Sequence, residues 1–401
     1  MDYNKLFSKV VSRSKASAIR ELLKVISRPE IISFAGGLPA PDLFPAKEVA
    51  EIMQDVLDKH AKEALQYGTT EGQDKLKKEL IKLVKETENI TVSPEQLLVV
   101  SASQQALDMT ARIFINPGDS IITAAPTYLG ALQAFQVAGA DIRGAESDGY
   151  GILPEDLEAK LEELKKEGKP CKFIYVVPDF QNPTGTTIPE QRRLEILEIA
   201  KKYGTFILED SPYRQVRFEG KAPRTFFELD NNQGNVITMF TFSKVFTPGF
   251  RLGYIIGPEE VIRKYVILKQ AMDLCSSPIL QLATAEYLRR GHLMQHVKDI
   301  IACYREKRDL MLKTLAEYMP KNISWTRPEG GLFLWLSLPH HMNATELLPK
   351  AIENKVAYVA GVDFYPSGDV YNDMRLNFSY SSKEQIVEGL KRLAQTIKEN
   401  L

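Results

Sequence analysis

The chain has 401 residues, more than one hydrophobic core sustains, since single cores stop growing at about 250 to 300 residues. Its 51 basic and 52 acidic side chains leave a formal charge of -1, so no global field draws it to nucleic acid or to a membrane surface. No apolar run of about 18 residues reads as a membrane span, the opening MDYNKLFSKVVSRSKAS has no secretion-signal pattern, and the scattered Cys171, Cys275 and Cys303 fit no disulfide framework, so a cytoplasmic protein acting on small molecules is expected.

From Pro45 onward Val49, Ile52, Met53, Val56 and Leu57 recur at helical spacing and predict a helix that opens the main domain, 46–290. Short apolar runs follow: LLVV (97–100), SIITA (120–124), KFIYVV (172–177), TFIL (205–208) and VITMF (236–240), each of the length of a buried strand. Between the third and fourth, Pro189 precedes Leu194, Leu197 and Ala200 on one helical face, and Gly204 follows. Strand, helix, strand implies a parallel sheet covered on both faces. After about residue 290 longer amphipathic helices and a few alternating strands predict a smaller α+β domain, 291–401. In MRLNFSY, Met374, Leu376, Phe378 and Tyr380 share one face and Arg375, Asn377 and Ser379 the other, which aims Arg375 away from its own core.

Ligands of open α/β sheets bind beyond the carboxyl ends of the strands, so the residues after each apolar run carry the functional question. Those residues are SASQQ, APTY, PDFQNPTG, EDSPY and TFSK, which bring polar and aromatic groups to one rim. Lys244 in TFSKVFTPGFRLG stands out. A lysine desolvated beside other cations loses its proton more readily and can form a Schiff base with a carbonyl. Thr241 and Ser243 add hydroxyls, Arg251 adds a fork suited to phosphate, and a helix opening at Ser103 to Gln105 adds free N–H donors. The two histidines of HLMQH (292–296) do not make a zinc-protease motif, because Leu293 stands where such enzymes need Glu.

The runs DFQNPTG, EDSPY, TFSKVFTPGFRLGY and MRLNFSY, in this order and spacing, resemble the fold type I (class I/II) pyridoxal-phosphate aminotransferases over nearly the whole chain. The N-terminal run SAIRELLKVISRPEIISFAGGLPAPDLFP looks most like their 2-aminoadipate, kynurenine and aromatic subgroup. The resemblance implies a mainly parallel seven-stranded sheet, a small domain that includes an N-terminal arm (1–45), and a homodimer with active sites at the interface. It makes Lys244 the cofactor-bearing lysine and Asp210 the partner of the pyridine nitrogen. Asn182 and Tyr213 would hydrogen-bond the phenolic oxygen, and Tyr128 would stack on the ring. Ser103, Gln104, Thr241, Ser243 and Arg251 would cup the phosphate, with Tyr67 reaching a partner's phosphate. Arg375 would pair with the substrate α-carboxylate, Gly36 and Gly37 would close over substrate, and Arg20 would meet a distal carboxylate. On residue chemistry alone, Asn182 also reads as a turn residue, Tyr213 and Tyr128 as packed rings, Asp210 as a helix cap, and Tyr67 as a loop cover. Two departures from the family pattern are Ala102, where glycine is frequent, and Thr241, where serine is frequent. The implied reaction moves an α-amino group to a 2-oxo acid such as 2-oxoglutarate. A lyase or decarboxylase on the same cofactor cup is the alternative that products would separate. A winged-helix regulator with an aminotransferase-like domain is the non-enzymatic alternative, and the resemblance beginning within the first 20 residues leaves no room for its DNA-binding part.

Overall fold

A computed structural model describes residues 1–14, 28 and 30–401. In chain order the strands are β1 (Ile32–Ser33), then β2 (Leu97–Val100), β3 (Ser120–Ala125), β4 (Asp141–Asp148), β5 (Gly151–Ile152), β6 (Cys171–Val176), β7 (Phe206–Asp210), β8 (Val236–Thr241) and β9 (Gly253–Ile256). A C-terminal group follows: β10 (Ser324–Trp325), β11 (Phe333–Ser337), β12 (Val356–Ala357), β13 (Val359–Ala360) and β14 (Asp373–Asn377). All five apolar runs of the sequence are strands, and four of them are buried almost throughout because helices cover both faces.

The large sheet has eight strands in the spatial order β2, β9, β8, β7, β6, β3, β4, β5. Its centre, from β8 through β7, β6 and β3 to β4, is parallel, while β9 runs antiparallel to both β8 and β2. The strand beyond the expected seven is the two-residue β5, which pairs antiparallel with β4. β4 (DIRGAESD) escaped the apolar criterion because it lies near the sheet edge, with only Ala145 fully buried.

The helix Ala46–Ala64 buries Ile52 and Val56, as its stripe predicts. The helix Glu190–Lys202 starts after Pro189, and Gly204 takes φ 65 just past its end. Its inward face carries Arg193 with Ile196, Leu197 and Ala200, whereas Leu194 is half-buried; the inward arginine pairs with the buried Asp179.

The C-terminal sheet, in the order β10, β11, β14, β13, is antiparallel and sets Arg375 of β14 between Trp335 and Val359. Met374, Leu376 and Phe378 are buried as expected. Tyr380 is not on that face: the strand ends at Asn377, and Tyr380 is exposed. β1 pairs parallel with β12, and the Asn377 N–H donates to Phe34 O, so residues 32–34 are held by the C-terminal part of the chain. A small apolar cluster of Ile31, Ala35, Leu129, Trp335, Ala357, Val359 and Phe364 anchors this segment over the rim of the large sheet. Among the described residues no helix is long and apolar enough to cross a membrane.

Candidate active site

The end of β7 carries two adjacent carboxylates, and the pleat of the strand sends them to opposite faces. Glu209 accepts the backbone N–H groups of Phe226 and Phe227 and so caps the helix Phe226–Asp230. Asp210, 1 % exposed, turns to the other face, where its Oδ2 accepts from the Tyr175 hydroxyl at 2.9 Å. Its Oδ1 is buried with no hydrogen-bond partner. Burial pushes the Asp210 carboxyl up to about 7, against the lowering effect of the Tyr175 hydrogen bond.

Lys244 follows β8. Its Nζ donates to Gly37 O at 2.9 Å. Withdrawal from water, then the nearby charges of Arg375 and Arg251, hold its ammonium down to about 8. Just before it, Thr241 Oγ1 meets Ser243 Oγ at 2.9 Å and accepts the Ser243 N–H at 3.2 Å. Arg251 is exposed, in the left-handed region at φ 51. The helix Ala102–Phe114 begins against the same strands: a Cβ on Gly253 would stand 2.5 Å from Phe240 O and 3.2 Å from Ala102 Cα. Gly253 is therefore the residue that lets the helix start approach the sheet. Ser103 and Gln104 lie in its first turn, and Ala102 itself sits at φ 63, a conformation glycine adopts without strain. Tyr128, half-buried at the end of β3, reaches Gln104 Oε1 at 3.5 Å.

The loop after β6 completes the rim. Asn182 Oδ1 accepts from Arg375 Nη1 at 2.8 Å, and its Nδ2 donates to Tyr213 Oη at 3.4 Å. Arg375, 2 % exposed, also donates through Nη2 to Ala35 O at 2.7 Å, and its Nε has no partner. Its guanidinium lies 4.3 Å from the centre of the Phe333 ring and 5.2 Å from that of Phe364. Burial lowers it to about 10 and pushes the Tyr213 phenol up. The face of β14 opposite its apolar side thus looks into the rim rather than into solvent.

Beneath this loop sits a charge cluster. Asp179, fully buried, pairs with Arg193 at 2.9 Å, Arg214 at 3.1 Å and Arg217 at 3.0 Å, and Arg214 also pairs with Glu88. Burial works against the Asp179 carboxylate, but the guanidiniums of Arg193, Arg214 and Arg217 keep it below its usual range. Asp179 is three residues before Asn182 and Arg214 one after Tyr213, so the pair fastens the two loops together.

The fold brings Gly37, Ser103, Gln104, Tyr128, Asn182, Asp210, Tyr213, Thr241, Ser243, Lys244, Arg251 and Arg375 to one rim. It leaves Tyr67 apart, 79 % exposed, its hydroxyl without a partner among the described residues. Arg20 lies outside the described residues. His292 packs on the Tyr287 ring at 5.3 Å and His296 is buried. Sequence reasoning passed over Tyr175, Asp179 and Phe333. A tyrosine inside an otherwise apolar run was the available signal for the first, since a buried hydroxyl needs a partner.

These donors fit pyridoxal phosphate. An orphaned buried carboxylate oxygen suits a protonated ring nitrogen, a depressed lysine suits an aldehyde, and hydroxyls, helix-start N–H groups and a guanidinium suit a phosphate. The family model for aminotransferase class I and II matches residues 30–393. The chain belongs to this family. The aminotransferase is 46 % identical over 401 residues to aromatic-amino-acid aminotransferase 1 of Thermococcus litoralis, covering all of this chain and 96 % of that one. It is 38 % identical to the 2-aminoadipate transaminase of Thermus thermophilus, over 99 % of this chain and 98 % of the relative. The kynurenine aminotransferase of Pyrococcus horikoshii, crystallised with PMP, superposes with a TM-score of 0.96 at 44 % identity, over 100 % of this chain and 98 % of that one. The protein is thus a fold type I enzyme that transfers amino groups with pyridoxal 5'-phosphate.

Proposed function

We propose that this aminotransferase moves the α-amino group of aromatic, 2-aminoadipate-like or a broad range of amino acids to a 2-oxo acid such as 2-oxoglutarate, in two half-reactions with the first product leaving before the acceptor binds. The observation that carries the reading is the convergence of Lys244, Asp210, Asn182 and Arg375, from four separate stretches of chain, on one rim. The relatives named above support the substrate classes.

When bound, pyridoxal phosphate supplies an aldehyde for the amino group and a ring that withdraws electrons from the substrate Cα. Lys244 Nζ would hold the aldehyde and, once freed by substrate, would take up and return the substrate Cα proton. Its lowered proton affinity leaves an appreciable neutral fraction near pH 8, the form that accepts a proton. Asp210 Oδ1 would accept from the ring nitrogen and keep it protonated. Asn182 and Tyr213 would bond the phenolic oxygen, and Tyr128 would cover the ring. Ser103, Gln104, Thr241, Ser243 and Arg251 would hold the phosphate. Arg375 offers its fork to the α-carboxylate, Gly37 admits close approach of the backbone over substrate, and Arg20 selects a distal carboxylate. Tyr67, its hydroxyl unpartnered among the described residues, would reach the phosphate of a second copy, so the working unit is a homodimer. We assign residues 46–290 to the cofactor domain, 291–401 with the arm 1–45 to the smaller one, and the enzyme to the cytoplasm.

The test is a panel of amino donors (2-aminoadipate, kynurenine, tyrosine, phenylalanine, leucine) against 2-oxoglutarate, read as glutamate formed. Glutamate with an equivalent of oxo acid is expected. Pyruvate plus ammonia, or carbon dioxide, without glutamate would overturn the assignment in favour of a lyase or a decarboxylase.

A further inference from the structure

Tyr175 belongs to β6 and Asp210 to the neighbouring parallel β7. The register places Tyr175 opposite Leu208, so Asp210 is the diagonal neighbour two residues farther along the same face. The phenol reaches that carboxylate at 2.9 Å, and both residues are buried. Its ring cannot swing away: Phe135 packs edge-on against it at 5.5 Å, and Phe173 in turn against Phe135 at 5.2 Å.

We propose that Tyr175 is a positioning residue that occupies one oxygen of Asp210 and so presents the other, as an ionised acceptor, to the ring nitrogen of the cofactor. Oδ2 is taken by the phenol, and Oδ1 is the orphan. Burial, then the Asp210 charge, pushes the Tyr175 proton affinity well up, so the phenol is always the donor. Tyr128 and Tyr213 are the other ionisable groups that act on Tyr175, and neither replaces it on Asp210. Without the phenol, the cofactor-free pocket loses the hydrogen bond that counters burial of Asp210, and the carboxyl moves toward its neutral form, a poorer acceptor for the ring nitrogen's proton. This inference rests on the reading of Asp210 as the partner of that nitrogen.

The test compares wild type, Tyr175→Phe, Asp210→Asn, their double mutant and Tyr265→Phe. The last removes an equally buried hydroxyl, bonded to Thr110 at 2.7 Å in the core, and controls for simple loss of packing and hydrogen bonding. Each apoenzyme is loaded with cofactor labelled with 15N in the ring; the nitrogen shift reports protonation, and an absorbance titration gives the cofactor Kd. Wild type and Tyr265→Phe should show a protonated nitrogen. Tyr175→Phe should lose much of that protonation and bind cofactor about tenfold more weakly, the scale of one hydrogen bond to a charged group. The double mutant should be no worse than Asp210→Asn. A wild-type signature in Tyr175→Phe while Asp210→Asn loses the proton overturns the proposal and leaves the Asp210 reading standing. An unprotonated nitrogen in wild type overturns both. Equal effects of Tyr175→Phe and Tyr265→Phe also overturn it.

Discussion

Replacing Lys244 with Met removes the ammonium and keeps much of the apolar stem, and in the cofactor-free protein it should raise stability while ending catalysis. Burial, with Arg375 and Arg251 nearby, lowers the lysine from 10.5 to about 8. A tenfold change in proton affinity is worth about 1.4 kcal/mol, so holding this ammonium in the folded chain costs roughly 3 kcal/mol at pH 7. Below pH 8 both folded and unfolded chains are protonated and the whole cost applies. Between about 8 and 10.5 the folded chain sheds its proton first, so wild-type stability recovers as pH rises. The lost hydrogen bond to Gly37 O subtracts about 1 kcal/mol from the gain. Lys244→Met should thus be more stable than wild type by about 2 kcal/mol at pH 7, with the gain gone near pH 10. Urea unfolding of both cofactor-free proteins, followed by the fluorescence of Trp325 and Trp335, measures this directly. A variant less stable at pH 7, or a gain that does not shrink with pH, would refute the reasoning. The same variant should show neither transamination nor a borohydride-reducible link to cofactor.

Two further outcomes are expected. Arg375→Lys keeps a charge but loses the planar fork, so kcat/KM for amino donors should fall roughly tenfold to a hundredfold with the cofactor Kd little changed; steady-state kinetics with unchanged kcat/KM would remove Arg375 from the carboxylate site. Asp179→Ala leaves Arg193, Arg214 and Arg217 without their shared carboxylate and should cost about 3 to 5 kcal/mol, read by denaturant unfolding of the loaded enzyme; a loss below about 1 kcal/mol would show that the cluster does not hold the loops.

Much of this architecture was legible because burial and chemistry alternate along the chain in a simple way. Apolar runs marked five strands of the large sheet, and the polar residues just after them marked the rim. β4 and β9 were not marked. The first is polar because it lies near the edge, and the second is four residues long and antiparallel, outside the strand-helix-strand rhythm. Arg375 was placed on the correct face of its strand by alternation alone, whereas Tyr380 was assigned to a strand that had already ended. Asp179, Arg193 and Tyr175 were illegible for a common reason. A buried charge or hydroxyl is recognised by its partner, and theirs lie on other elements, such as Arg214 thirty-five positions from Asp179. Ala102 was seen only as a departure from a glycine; its positive φ explains why glycine is the easier residue there.

The hydrogen bond from Arg375 to Ala35 spans 340 positions, and the one from Lys244 to Gly37 spans 207. A ribosome making this enzyme therefore finishes the lysine long before the arginine that completes the rim exists. On the roles proposed above, amino-acid capture has to wait until almost the last helix has emerged, and a terminated chain ending between residues 244 and 375 carries the reactive amine without the arginine that would recognise a substrate. For this molecule, synthesis to near completion is itself a checkpoint on chemistry.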